Sequence, residues 1–214
     1  MFVALLTILV ICSGNLHVRA EYRGPRNQVY LFKPLTTILI LLIAVQADTP
    51  ELACYKYAIV AGLVCSLAGD IFLMLPSDQF IPGLVSFLIG HLFYIAAFTS
   101  ASGFGFSWWL LAPFVVFGVV IFRILSPHLG KMRLPVVAYM AVILVMAWQA
   151  CERLSRIGEI AALLASMGAV LFVVSDSTLA LGRFRGRFRS ARVVTLSTYY
   201  AAQWLIALSV TKMV

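Results

Sequence analysis

Charge is scarce in this chain. Asp, Glu, Lys and Arg make up only 11% of its 214 residues, against about 25% in ordinary soluble domains. A water-soluble globule is excluded, because 63% hydrophobic residues and a mean hydropathy of +1.02 leave far too little polar surface to cover it. The same figures exclude a disordered chain. Cysteine is equally sparse. Cys12, Cys54, Cys65 and Cys151 are scattered and form no CxxC pair, which argues against a disulfide framework or a redox motif. Histidine occurs three times, with no His-x-x-His, Glu-x-x-His or carboxylate-rich loop, so no metal or other cofactor is expected. What the chain has instead is long apolar runs. A membrane-spanning helix takes about 20 apolar residues, and eight of them fit the length with short loops to spare.

The runs, separated by short polar or Pro/Gly-marked breaks, predict spans over Phe2–Val18, Val29–Gln46, Ala53–Leu75, Gln79–Ser100, Ser107–Leu125, Leu134–Ala150, Ile157–Leu181 and Val193–Met213. The expected fold class is all-α, a polytopic bundle of eight transmembrane helices forming one domain over residues 1–214. The first run lacks the basic n-region and small-x-small cleavage site of a signal peptide. Its Leu9-Val10-Ile11-Cys12 has only a faint likeness to a lipoprotein box, because Ile11 is bulky. It is read as a helix. The loops are too short to hold a soluble domain, so any site must lie among the helices or at their ends.

The net charge of +8 invites a nucleic-acid reading, but the placement of the charges opposes it. The loops after spans 1, 3, 5 and 7 hold Arg19, Arg23, Arg26, Arg123, Lys131, Arg133, Arg183, Arg185, Arg187, Arg189 and Arg192. Those after spans 2, 4 and 6 hold only Lys56, Arg153 and Arg156, with Lys212 at the C-terminus. Positive-inside asymmetry then puts the odd loops in the cytoplasm and both termini outside. The short loops lean toward a bacterial inner membrane rather than an endoplasmic reticulum. The basic-aromatic run from Arg183 to Arg189 lies directly against two spans and reads as a topology anchor or a contact with anionic lipid. A second reading gives one of its arginines a substrate phosphate.

A shift of 106 residues superposes Gly62 on Gly168, Asp70 on Asp176 and Tyr94 on Tyr200. It maps spans 3 and 4 onto 7 and 8. Two four-helix halves related this way would run parallel, about an axis along the membrane normal, and Asp70 would face Asp176 across it.

Six of the acidic residues (Glu21, Asp48, Glu51, Asp78, Glu152 and Glu159) are expected in loops or at helix ends. Asp70 and Asp176 alone fall inside apolar runs. A carboxylate costs about 2.5–3.5 kcal/mol at the centre of a spanning helix on insertion scales, so its presence there points to function by default. Both aspartates lie one to two turns from the odd-loop ends of their helices, at matching depth. Two neighbouring buried carboxylates repel one another and divide a proton between them, which is the arrangement of a general acid beside a base or charge stabiliser. The bland alternative is that each aspartate only hydrogen-bonds a neighbouring helix. His91 and Tyr94, three apart in span 4, share a side of their helix; His91 reads either as a packing residue or as an orienting one. Tyr199 and Gln203, with Thr195, make a polar stripe near the odd-loop end of span 8. Lys33, before Pro34, either snorkels from span 2 or offsets the carboxylates. Tyr139 in span 6 is a further polar residue with both readings open.

These segments together resemble the YhhN-like membrane family, which includes the lysoplasmalogenases of animal and bacterial membranes. The matching pieces are Lys33-Pro34, Ser66 to Leu73 with Gly69-Asp70, Gly83 to Phe98 with His91 and Tyr94, Gly168 to Leu181 with Ser175-Asp176, and Ser197 to Leu208 with Tyr199 and Gln203. The resemblance extends over nearly the whole chain. It implies hydrolysis of the vinyl-ether bond of a lysoplasmalogen to a fatty aldehyde and a glycerophospho-ethanolamine or -choline, without a cofactor. It also implies that Asp70 and Asp176 are the catalytic pair. His91, Tyr94, Tyr199, Gln203 and Tyr139 are expected to support or orient, and Lys33 and the cytoplasmic arginines to meet the head-group phosphate. The expected partners are a lysophospholipid and membrane lipids, with no nucleic acid. Two other classes fit the same residues: a proton-coupled transporter using the carboxylates as a relay, and a lipid-sensing protein without turnover. An intramembrane aspartyl protease fits poorly, because Val174-Ser175 precede Asp176 and Leu67 stands where the first glycine before Asp70 belongs.

Overall fold

An isolated apolar segment in lipid can satisfy its backbone groups only by closing into a helix, and this chain does so throughout. A computed structural model describes residues 2–48, 53–186 and 190–211, and no strand occurs among them. The helices are α1 (Phe2–Arg23), α2 (Arg26–Val45), α3 (Ala53–Met74), α4 (Phe80–Ser100), α5 (Trp108–Leu129), α6 (Arg133–Ile157), α7 (Ile160–Ala180) and α8 (Ala191–Leu208). A 3-10 turn, Gly130–Met132, joins α5 to α6, and a π-helical turn, Leu181–Arg185, extends α7. Six stretches are long and apolar enough to cross a membrane: α1, α2, α3, α4, the continuous run 108–157 that holds both α5 and α6, and α7 with its π turn. The 18-residue α8 is not among them. Its Arg192, Thr195, Ser197, Thr198 and Gln203 and its two tyrosines interrupt its apolar character.

Three helices outrun their sequence-predicted ends, α5 by four residues, to Leu129. α1 continues five residues past Val18, to Arg23, and carries Glu21 inside it. α6 continues from Ala150 to Ile157, so Glu152 and Arg153 are buried helix residues rather than loop residues. The charges there mislead because both are covered by other parts of the bundle, Glu152 by hydrogen-bond donors and Arg153 by an aromatic ring, with its Nε and Nη1 left without a hydrogen-bond partner among the described residues. Glu152 accepts from Trp148 Nε1 at 3.0 Å and from the Ser107 backbone N–H and hydroxyl. The Arg153 guanidinium lies 4.5 Å from the Tyr55 ring centroid. Gly158 ends α6 with φ +69°, the left-handed cap that glycine adopts without a Cβ penalty, and its N–H closes on Leu154 O at 2.9 Å. This turn separates α6 from α7, which starts at Ile160 rather than Ile157.

α3 packs closely against α4, and α7 against α8. With little hydrophobic gain from helix association in lipid, small residues that let backbones approach supply the contact. A Cβ at Gly62 would lie 2.3 Å from the Tyr94 ring, and one at Gly168 would lie 2.8 Å from Ala202 O. α6 packs on α4, α5 and α7, while α2 packs on α1, α3 and α8. The core between them holds Ile59, Leu63, Phe98, Met146, Phe172 and Ile206, all fully buried. α5 is peripheral, with Gly118, Leu125 and Leu129 its buried residues. Contacts between Arg183 and Asp78, and between Arg192 and Glu21, bring the last turn of α1, the loop after α3, the π turn after α7 and the first turn of α8 to one end of the bundle.

Candidate functional site

At that end a cavity of about 1010 Å³ runs down between the helices. Asp70 and Asp176 both line it, with Lys33, Phe87, Ser175 and Tyr199. Its mouth carries Glu21, Arg26, Asp78, Arg183 and Arg192.

Asp70, 2% exposed, is fully engaged. Lys33 and Thr37 are one helical turn apart on α2 and face it together. Lys33 Nζ stands 3.5 Å from Oδ1, and Thr37 Oγ1 donates to Oδ2 at 2.7 Å. From α8, the Tyr199 hydroxyl donates to the same Oδ2 at 2.7 Å. Tyr199 in turn accepts from Gln203 Nε2 at 3.3 Å, and Gln203 Oε1 accepts from the Tyr94 hydroxyl at 2.6 Å. A continuous buried line therefore joins α4 to Asp70 through α8.

Asp176 has a different environment. It is half-buried on α7, and the Tyr139 hydroxyl of α6 donates to its Oδ2. No lysine or arginine forms an ion pair with it among the described residues. Beside it, Ser175 Oγ donates to Thr195 O at 3.1 Å and ties α7 to α8.

The structure thus gathers Asp70, Lys33, Tyr94, Tyr199 and Gln203 in one network, and Asp176 with Tyr139 in another, around one cavity. His91 it does not bring to either carboxylate. The imidazole is fully buried among Tyr94, Tyr139 and Phe172, 5.3 Å from the Tyr139 ring centroid, and neither ring nitrogen has a hydrogen-bond partner among the described residues. Of the arginine run, Arg183 reaches the mouth, pairs with Asp78 and stacks 5.0 Å from the Phe80 ring centroid; Arg187 and Arg189 lie outside the described residues, as do Glu51 and Lys212. No group of three or more His, Cys, Asp or Glu side chains is arranged to hold a metal ion among the described residues.

Three participants escaped the sequence reading. Thr37 is signalled only by its spacing from Lys33. Glu21 lines the mouth because α1 is longer than its apolar run. Behind it, fully buried His17 meets the Tyr200 hydroxyl through Nδ1 at 2.7 Å and places Nε2 3.7 Å from Glu21.

The profile of the YhhN family matches residues 28–210. An uncharacterized membrane protein YhhN of Escherichia coli is 35% identical over 202 residues, covering 94% of this chain and 96% of that protein. Lysoplasmalogenase TMEM86A of Bos taurus is 39% identical over 157 residues, covering 71% of this chain and 64% of its own length. Lysoplasmalogenase TMEM86B of Homo sapiens is 37% identical over 165 residues, with 72% and 64% covered. No solved structure matches. A match over this much of the chain, together with relatives of this identity, makes the protein a member of the YhhN family.

Proposed function

We propose that this protein is a lysoplasmalogenase that cleaves the vinyl-ether bond of lysoplasmalogens inside the membrane, using Asp176 and Asp70 in unequal roles. The observation that carries the reading is that the two intramembrane carboxylates line one cavity with opposite partner sets. The mammalian relatives named lysoplasmalogenases support the substrate class.

A vinyl ether is cleaved by protonating its β-carbon. Asp176, with one hydroxyl partner and no cation, is the proton donor. As the C–H bond forms, positive charge develops on the α-carbon and the ether oxygen. Asp70, positioned by Lys33, Thr37 and Tyr199, is the carboxylate that stabilises that oxocarbenium ion, much as a carboxylate does in glycoside hydrolysis. Water then adds to the α-carbon and returns a proton to Asp176. The hemiacetal collapses with a proton passing to the glycerol oxygen, leaving aldehyde and glycerophospho-base. One water is consumed and both aspartates are restored. Tyr94 and Gln203 fix Tyr199, and Tyr139 fixes Asp176. Lys33 and the mouth arginines meet the phosphate, and the single lipid chain lies among apolar side chains such as Phe87 and Leu179. In this reading α1 to α8 all span a bacterial inner membrane, the mouth faces the cytoplasm, and α3-α4 and α7-α8 are the corresponding pairs of an internal repeat.

Purified protein in detergent is given ethanolamine or choline lysoplasmalogen and aldehyde is measured. Asp70→Asn and Asp176→Asn should each lower the rate by about 10²–10⁴, the range of a lost general acid or its electrostatic partner, while the variants still purify as folded protein. Near-full activity in either variant refutes the paired mechanism.

A further inference from the structure

The mouth of the cavity carries charge of both signs, which phosphate binding alone does not need. Glu21 faces the fully buried His17 on its inner side: its Oε1 is 3.7 Å from Nε2, beyond hydrogen-bond distance, and the other ring nitrogen meets Tyr200. In front, Arg192 Nη1 donates to the Glu21 backbone carbonyl at 2.8 Å but stays 3.5 Å from carboxylate Oε2. That is longer than the 2.7–2.9 Å of a charge-assisted hydrogen bond. The backbone contact fixes the guanidinium beside the carboxylate as a loose, accessible ion pair that a ligand carrying both charges can open. Both remain accessible, at 26% and 45% side-chain exposure. Arg26 and Lys33 line the same cavity, and Lys33 extends the positive charge inward to Asp70.

Resting on the reading of this cavity as a lysophospholipid site, we propose that Glu21 and Arg192 form a clamp for a zwitterionic lipid head group. Glu21 takes the ammonium; Arg192, with Arg26, takes the phosphate. Two opposite charges held side by side match a head group that carries two opposite charges close together. The acid also supplies selectivity: a phosphate monoester, with more negative charge and no amine, meets Glu21 as a repulsive group.

The test uses saturated alkyl-ether lysolipids, which have no vinyl ether and cannot be turned over. Binding to the purified full-length protein is compared for the glycerophosphoethanolamine lipid, its N-acetyl derivative with the amine charge removed, and the glycerophosphate monoester. Wild type should bind the free-amine lipid about five- to tenfold more tightly than either other lipid, the effect of one partly desolvated charge pair. Glu21→Gln should bring all three to within about twofold. Arg192→Gln should weaken all three. Equal binding of amine and N-acetyl lipids by wild type, or an undiminished preference in Glu21→Gln, overturns the clamp. The wild-type comparison decides the matter even if the Glu21 variant does not fold. Because these lipids are inert, the clamp is judged separately from hydrolysis: a protein that binds with this preference yet releases no aldehyde from a lysoplasmalogen refutes the hydrolase and leaves the clamp standing.

Discussion

Lys33 Nζ stands 3.5 Å from Asp70 Oδ1, and both side chains are almost sealed from solvent, at 11% and 2% exposure. A buried pair of this kind contributes little net stability when both members are present. Removing one member strands the other's charge, at a cost of about 3–5 kcal/mol in globular proteins. The pair therefore arranges the site more than it holds the fold.

Lys33→Met should lower the melting temperature in detergent and abolish aldehyde release. Lys33→Met combined with Asp70→Asn should recover most of the melting temperature and none of the activity. A single Lys33→Met variant that melts like wild type would show that Asp70 does not depend on this cation.

The line from Tyr94 through Gln203 and Tyr199 to Asp70 predicts graded effects. Tyr199→Phe removes a direct donor to the carboxylate and should cost about tenfold in kcat, a hydrogen bond to a charged group being worth about 1.5–3 kcal/mol at most. Tyr94→Phe, two hydrogen bonds away, should cost less, and KM should stay near wild type in both. Equal losses at the two positions would mean that Tyr94 acts by packing rather than through Gln203.

Topology is testable by thiol labelling. With the four native cysteines replaced, Ser77→Cys in the loop after α3 should react only when a membrane-impermeant maleimide reaches the cytoplasmic face. Ala101→Cys after α4 should react from outside intact cells. The reverse pattern would place the cavity mouth on the external face.

The two aspartates were legible in the sequence because an ionisable group in an apolar run has few reasons to be there. Tyr199 and Gln203 were legible by their four-residue spacing on one helix. Glu152 and Arg153 were not. Charge marks a helix end in a membrane protein only when it reaches water, and here the Ser107 backbone and the Tyr55 ring take water's place. His91 had both readings open, packing and orienting. Its ring faces Tyr139 of α6 and Phe172 of α7 rather than Asp70, although the connection from α3 to α4 is short. A short connection fixes which helices are neighbours but not which of their faces meet.

Every residue lining the cavity comes from one half of the bundle. At the opposite end Tyr55, Gln149, Glu152, Arg153 and Ser209 are each 3% exposed or less. In the proposed cycle Asp176 regains its proton from the attacking water beside that same cavity, and no net proton enters or leaves. Each catalytic cycle is then electrically silent, and in sealed vesicles its rate should be indifferent to an imposed transmembrane voltage.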